Sequence, residues 1–205
     1  MNRLKNRADT RLPSKRAILQ RIVSILPGTG ICFNMYENKL FKAAFTLAYW
    51  DLLRVVEITL SNKKNINNIL SSNDVHIVAG SDKLTIILRF SKTDQLGKGV
   101  NIEIPKVGGL MCPVEIVSEY LTVRPTEDVP FLCHFSGSFL TRFQFSAMLT
   151  KSLKYDGIES SKYKAHSLRI GAAAALSMAG YPIDEINNLG RWKSTAYNHI
   201  FDLQQ

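Results

Sequence analysis

Arg54, Lys92, His166, Arg169 and Trp192 are the side chains in this sequence best suited to chemistry on a phosphate. They are cationic or hydrogen-bonding groups carried in the short segments LLRVVE, RFSKTDQ, AHSLRIG and LGRWKSTAY. Two guanidiniums can each offer paired N–H donors to the nonbridging oxygens of one phosphate, a planar match that a point-charge lysine lacks. His166 and Arg169 stand i, i+3 apart, so on a helix they project from one face toward a single ligand. Taken alone, an H-x-x-R pair is better explained as a surface pair or a satisfied core histidine. In the same way an isolated tryptophan is core, Arg54 and Lys92 are exposed charges, and Glu57 is a helical partner for a nearby lysine. The conjunction of the segments is what gives each residue its meaning.

Composition limits what such a set acts on. A 205-residue chain that is 45% hydrophobic is long enough for one domain with a substantial core. Lys and Arg outnumber Asp and Glu by 26 to 17, a net charge of +9, so the natural partner is a polyanion, either nucleic acid or an anionic membrane surface. The longest apolar stretch, around Ala43 to Trp50, is cut by Lys42 and Asp51 and falls far short of the roughly 20 residues that span a bilayer. Neither a membrane span nor a membrane partner is expected. Arg3, Lys5, Arg7, Arg11, Lys15 and Arg16 have no apolar run behind them, which excludes a secretory signal and points to a reducing compartment. Cys32, Cys112 and Cys133 are odd in number and lack C-x-x-C spacing, against both a disulfide framework and a structural zinc. All three are expected as small core residues.

The elements that must position the set are mostly helical. Residues 1–13 read as a basic arm and residues 14–205 as one domain, with no internal repeat. A helix capped by Ser14 runs to Leu26, stopped by Pro27 and Gly28. A second runs from Met35 through Leu53, and a shorter one follows through Leu60, so that Arg54 and Glu57 lie at the junction. Ser61 to Asn73 reads as a loop. Val75–Val78, Leu84–Phe90 and Val100–Ile104 are β-branched runs separated by turn residues, which predicts a small antiparallel sheet with Lys92 beyond its middle strand. Helical periodicity resumes after Pro113, again over Phe139–Leu153, Lys164–Ala179, Ile183–Leu189 and Ser194–Leu203. Gly171 to Ala175 has almost no side-chain volume and suits close helix packing; no Walker lysine follows it. The fold class is mainly α with a small antiparallel β-sheet.

Arg54-x-x-Glu57, Ser91-Lys92-Thr93, His166-x-x-Arg169 and Gly190-Arg191-Trp192, in this order, resemble the motifs of the tyrosine recombinase (phage integrase) superfamily. LFKAAFTLAYWDLLRVVEIT, SKTDQLGKG, HSLRIGAA and LGRWKSTAY are closer still to recombinases of eukaryotic mobile elements of the DIRS, Ngaro and crypton kinds. The resemblance covers nearly the whole chain and implies that superfamily's catalytic-domain fold, double-stranded DNA as partner, a homo-oligomer on DNA and a nuclear location. It also implies phosphoryl transfer without metal or cofactor, in which a tyrosine attacks the scissile phosphate and holds a 3′-phosphotyrosyl link. Arg54 and Arg169 would stabilise the pentacoordinate transition state. His166 would add a hydrogen bond or shuttle a proton, Trp192 would donate its indole N–H, Lys92 would protonate the departing 5′-oxygen, and Glu57 would orient Arg54.

The nucleophile is where the chain departs from the pattern. The attacking tyrosine is expected about eight residues beyond the tryptophan, and that count ends on Ile200. Tyr197 lies earlier, on the same helical face as Ile200, and is the best candidate phenol; His199 is expected to face solvent. Presenting Tyr197 in place of residue 200 requires a shift of about one helical turn, roughly 5 Å, whereas reacting atoms must approach within about 3–3.5 Å. Three readings stand: an active recombinase using Tyr197, a degenerate or domesticated domain that binds DNA without cutting it, and a helical protein-binding domain whose arginines are decoration.

Overall fold

The computed structural model describes residues 16–77, 82–91, 99–126 and 130–192, apart from the side chains of 63–65. Seven α-helices among them run α1 (Arg16–Ile25), α2 (Met35–Trp50), α3 (Val55–Ile58), α4 (Pro113–Leu121), α5 (Arg142–Tyr155), α6 (Ala165–Met178) and α7 (Ile183–Gly190). Between α3 and α4 lies one antiparallel sheet of β1 (Val75–Ile77), β2 (Lys83–Leu88) and β3 (Val100–Pro105), in the order β1-β2-β3. The predicted mainly helical fold with a small antiparallel sheet is the observed one.

The centre of the molecule is α2. Asn34 caps it by accepting the Glu37 N–H at 2.8 Å, and an unbroken run from Ala43 to Tyr49 is buried, so this helix is enclosed on nearly every side rather than along one stripe. It packs against α4 and α6. The small residues Ala172, Ala173 and Ala174 of α6 are all buried, and their low volume lets the helix axes approach. Phe45 of α2 meets Phe145 of α5 edge-on, with centroids 5.0 Å apart. Thr141 and Gln144 form a reciprocal cap at the start of α5, three residues later than the apolar pattern alone suggested.

In the sheet, Leu84, Ile86 and Leu88 of β2 are buried and Leu84 pairs with Ile104, giving the period-2 alternation of a half-covered sheet. Its covered face lies against α4. The Asn- and Ser-rich stretch expected as a loop instead winds into two short 3-10 turns, Lys63–Asn68 and Ser72–Asp74. Ser71 and Asp74 bond each other locally, which is how such residues compete with open loop. Cys112 and Cys133 are core residues as expected, but Cys32 is only half covered. No helix among the described residues is long and apolar enough to cross a membrane.

Candidate functional site

Helix α2 ends at Asp51, and the chain turns through Leu52 and Leu53 into the four-residue helix α3. Arg54 is the residue just before α3, and Glu57, in its first turn, folds back to accept the Arg54 backbone N–H at 2.7 Å and its Nη1–H at 2.9 Å. The carboxylate that caps the helix also fixes the guanidinium. Arg54 keeps 16% of its side-chain surface exposed while Glu57 keeps 4%.

A third partner arrives from the other end of the chain. Arg191 follows α7 and donates Nη2–H to Glu57 Oε2 at 3.1 Å and to the Leu52 carbonyl at 3.2 Å. Its own carbonyl accepts from Arg54 Nη2 at 3.0 Å. Leu52 and Arg191 are the two non-glycine residues with positive φ among those described, at 49° and 52°. A left-handed backbone costs a residue with a Cβ about 1–2 kcal/mol. That both such residues lie here, joined by a hydrogen bond, marks this junction as the place where the fold holds strain.

Arg169, on α6, is the largest fully buried side chain among the described residues, with 1% exposure. Its Nη2 donates to the Gly190 carbonyl, and its guanidinium carbon lies 4.4 Å from the Trp192 ring centroid, a cation–π stack. Its Nε–H is buried without a hydrogen-bond partner. Gly190 is required by this packing, since a Cβ there would overlap the indole. Burial pushes the Arg169 guanidinium down from its ordinary value to about 9, and the charges of Arg54 and Arg191 push the same way against the weaker pull of Glu57. Burial lowers Arg191 as well. Three guanidiniums thus cluster near the engaged carboxylate of Glu57, two of them bonded to it and Arg169 feeling only its charge. Asp51, near Arg191, adds little negative charge: neither of its oxygens is hydrogen-bonded, and burial holds it well above the usual carboxylate range, toward its neutral form.

Of the residues singled out in the sequence, Arg54, Glu57, Arg169 and Trp192 are brought together, from the α2–α3 junction, α6 and the end of α7. His166 is exposed one turn before Arg169 on α6. Lys92, Tyr197, His199 and Ile200 lie outside the described residues, as does the basic arm. The arrangement differs from the expected one in a definite respect: Arg169 is not an open donor but is covered by the indole and by a carbonyl of the same turn. Arg191 and Asp51 were given no role by the sequence reading. Arg191 stands inside the quoted Gly190-Arg191-Trp192 segment, but nothing in the sequence reveals that its side chain turns inward.

The chain superposes on the XerH site-specific recombinase in a post-cleavage complex with a palindromic difH substrate, with a TM-score of 0.68, 14% identity, and coverage of 97% of this chain and 51% of that one. The fold is that of the tyrosine-recombinase catalytic domain. XerA recombinase matches with a TM-score of 0.64 and 17% identity over 93% of this chain and 58% of the other. The Flpe–Holliday junction complex matches with 0.58 and 16% over 87% and 44%. The chain therefore spans about half the length of these solved structures. No protein-family model matches the sequence, and no curated protein does.

Proposed function

We propose that this chain is a DNA recombinase or integrase-type domain whose Arg54 and Arg169 grip one phosphate of duplex DNA. The observation that carries this reading is an imbalance of charge and of hydrogen bonds. Three guanidiniums cluster around one carboxylate already engaged by two of them, and the most buried of the three has an unmatched Nε–H. A buried donor without an acceptor costs about 1–3 kcal/mol, and a phosphate oxygen supplies the acceptor and the missing negative charge together. Admission of the phosphate displaces the Gly190 carbonyl from Arg169 and swings the Trp192 indole off the guanidinium. Once exposed, the two arginines stabilise charge developing on the nonbridging oxygens, the role for which fixed donors in a low-dielectric site are most effective. His166, one turn away on the exposed start of α6, and Lys92 then act on protons at the attacking and leaving oxygens. Solved structures of the same fold at similar TM-scores are complexes with DNA, which supports the choice of nucleic acid over a membrane surface.

Within this reading the segments HSLRIGAA and LGRWKSTAY favour the eukaryotic mobile-element branch, and with it a nuclear site of action and assembly of several copies on DNA. A second reading, binding without cutting, is favoured by one observation: Ile200 occupies the position eight residues beyond Trp192. A nicked suicide duplex separates the two. An SDS-resistant protein–DNA adduct that Tyr197→Phe abolishes supports strand cleavage, and its absence with a duplex the protein binds tightly supports the grip alone.

A further inference from the structure

We infer that Arg191 is a positioning residue for this pocket, holding Glu57 so that Glu57 aims Arg54 at the phosphate. The inference rests on the proposed phosphate grip but adds a residue whose role lies behind it. Left-handed backbone just past a helix end is normally occupied by glycine or asparagine. This chain places its glycine one position earlier, at Gly190, where the Trp192 ring leaves no room for a Cβ, and accepts a long charged side chain at φ 52°. The side chain touches its own helix end only through a long bond from Nη1 to the Leu189 carbonyl, at 3.4 Å. It is buried and crosses to the α2–α3 junction, more than 130 residues away in sequence, to bond Glu57 and Leu52.

The contacts form a closed loop. Arg54 donates through Nη1 to Glu57 and through Nη2 to the Arg191 carbonyl; Arg191 donates to the other oxygen of the same carboxylate. With both ends of the Glu57 carboxylate and both terminal nitrogens of Arg54 engaged, neither group rotates without breaking a charge-assisted bond. Without the Arg191 side chain, Glu57 Oε2 keeps the Arg54 backbone N–H but loses its one charged partner there, so the carboxylate is held only by its own turn and no longer fixed relative to the end of α7. The Arg191 carbonyl alone does not orient a guanidinium.

Arg191→Gly is the discriminating variant, because glycine suits the left-handed turn and removes only the side chain. A helix-capping role predicts that this variant behaves as wild type or better, whereas a positioning role predicts loss at Arg54. The measurement follows the Arg54 Nε–Hε resonance, assigned by its absence in Arg54→Lys, and titrates sulfate into the folded protein. In Arg191→Gly the Arg54 resonance is expected to shift and broaden and sulfate affinity to fall on the order of tenfold, the scale of a small misplacement of a binding group. Arg191→Lys, which restores a single contact to Glu57, recovers part of both and serves if the glycine variant fails to fold. An Arg54 resonance unmoved in these variants overturns the inference, whatever sulfate does. Failure of the wild type to bind sulfate, with the Arg54 resonance still dependent on Arg191, overturns the phosphate reading and leaves the positioning role supported.

Discussion

Glu57→Gln tests the electrostatic design of the junction with almost no change of shape. The carboxylate accepts three hydrogen bonds, at 2.7, 2.9 and 3.1 Å, from the Arg54 backbone, the Arg54 side chain and Arg191. An amide supplies one acceptor oxygen. If that oxygen stays at the Oε2 position, its NH2 faces the Arg54 Nη1–H, donor against donor, and two guanidiniums lose their shared counter-charge. Breaking a buried ion pair costs about 3–5 kcal/mol. Because Arg54 retains contact with water, the lower end applies, about 3 kcal/mol, which for a domain of this size is a fall in Tm of about 6–12 °C. Thermal unfolding followed by circular dichroism at low salt reads this directly, and added sulfate should recover part of the loss by restoring negative charge to the cluster. The exposed pair Lys83–Glu103, with 56% and 61% exposure, is the control, since such pairs contribute about 0–1 kcal/mol. A Glu57→Gln shift no larger than that of Glu103→Gln would refute the idea that this carboxylate holds the site together.

Other consequences follow from the same contacts. Gly190→Ala drives a Cβ into the indole, so it should cost about 1–3 kcal/mol, as overpacking does; in a Trp192→Ala background the penalty should vanish, which a double-mutant cycle by urea unfolding measures. Sulfate does not titrate in the alkaline range, so its affinity should weaken as pH rises through about 9, where Arg169 loses its proton, and Arg169→Gln should show no such step. Stability moves the opposite way: from about 9 up to the ordinary arginine range the unfolded chain still holds a proton that folded Arg169 has released, so the destabilising contribution of this group eases with rising pH. Far from the site, Tyr120→Phe leaves the Cys133 N–H without the phenol oxygen that accepts it at 3.1 Å, and urea unfolding should record a loss of about 1–3 kcal/mol; under 0.5 kcal/mol would contradict the burial argument (~half the usual net worth of one bond).

Much of the scaffold was legible in the sequence because it rests on periodicity. The α2 run from Met35, the alanine-rich α6 and the β-branched strands carry their structure in local pattern, and their observed bounds differ from the expected ones by a few residues. The meeting of Arg54 and Arg169 was legible only as a resemblance of motifs, since no local rule brings residues 54 and 169 together. The inward turn of Arg191 was not legible at all. Pattern reading assigns an arginine to the surface because burying a guanidinium is costly, and the acceptors that offset the cost, Glu57 and the Leu52 carbonyl, are contributed by a distant turn. Asp51 escaped for the same reason: as a polar residue ending an apolar helix it looks like an ordinary cap, yet the packing around the α2 end buries it. The 3-10 turn Ser72–Asp74 is held by bonds from Asp74 to the Ser71 backbone and hydroxyl that composition alone does not distinguish from loop.

The central claim is that Arg54 and Arg169 close on one tetrahedral anion. Anomalous diffraction from crystals of this protein grown with tungstate, a heavy mimic of phosphate, tests it most directly. The account predicts a single strong peak within hydrogen-bond reach of both guanidiniums, with Trp192 displaced from over Arg169 and the peak lost in Arg169→Gln. A tungstate bound elsewhere, while Arg169 stays covered by the indole and bonded to the Gly190 carbonyl, would contradict it.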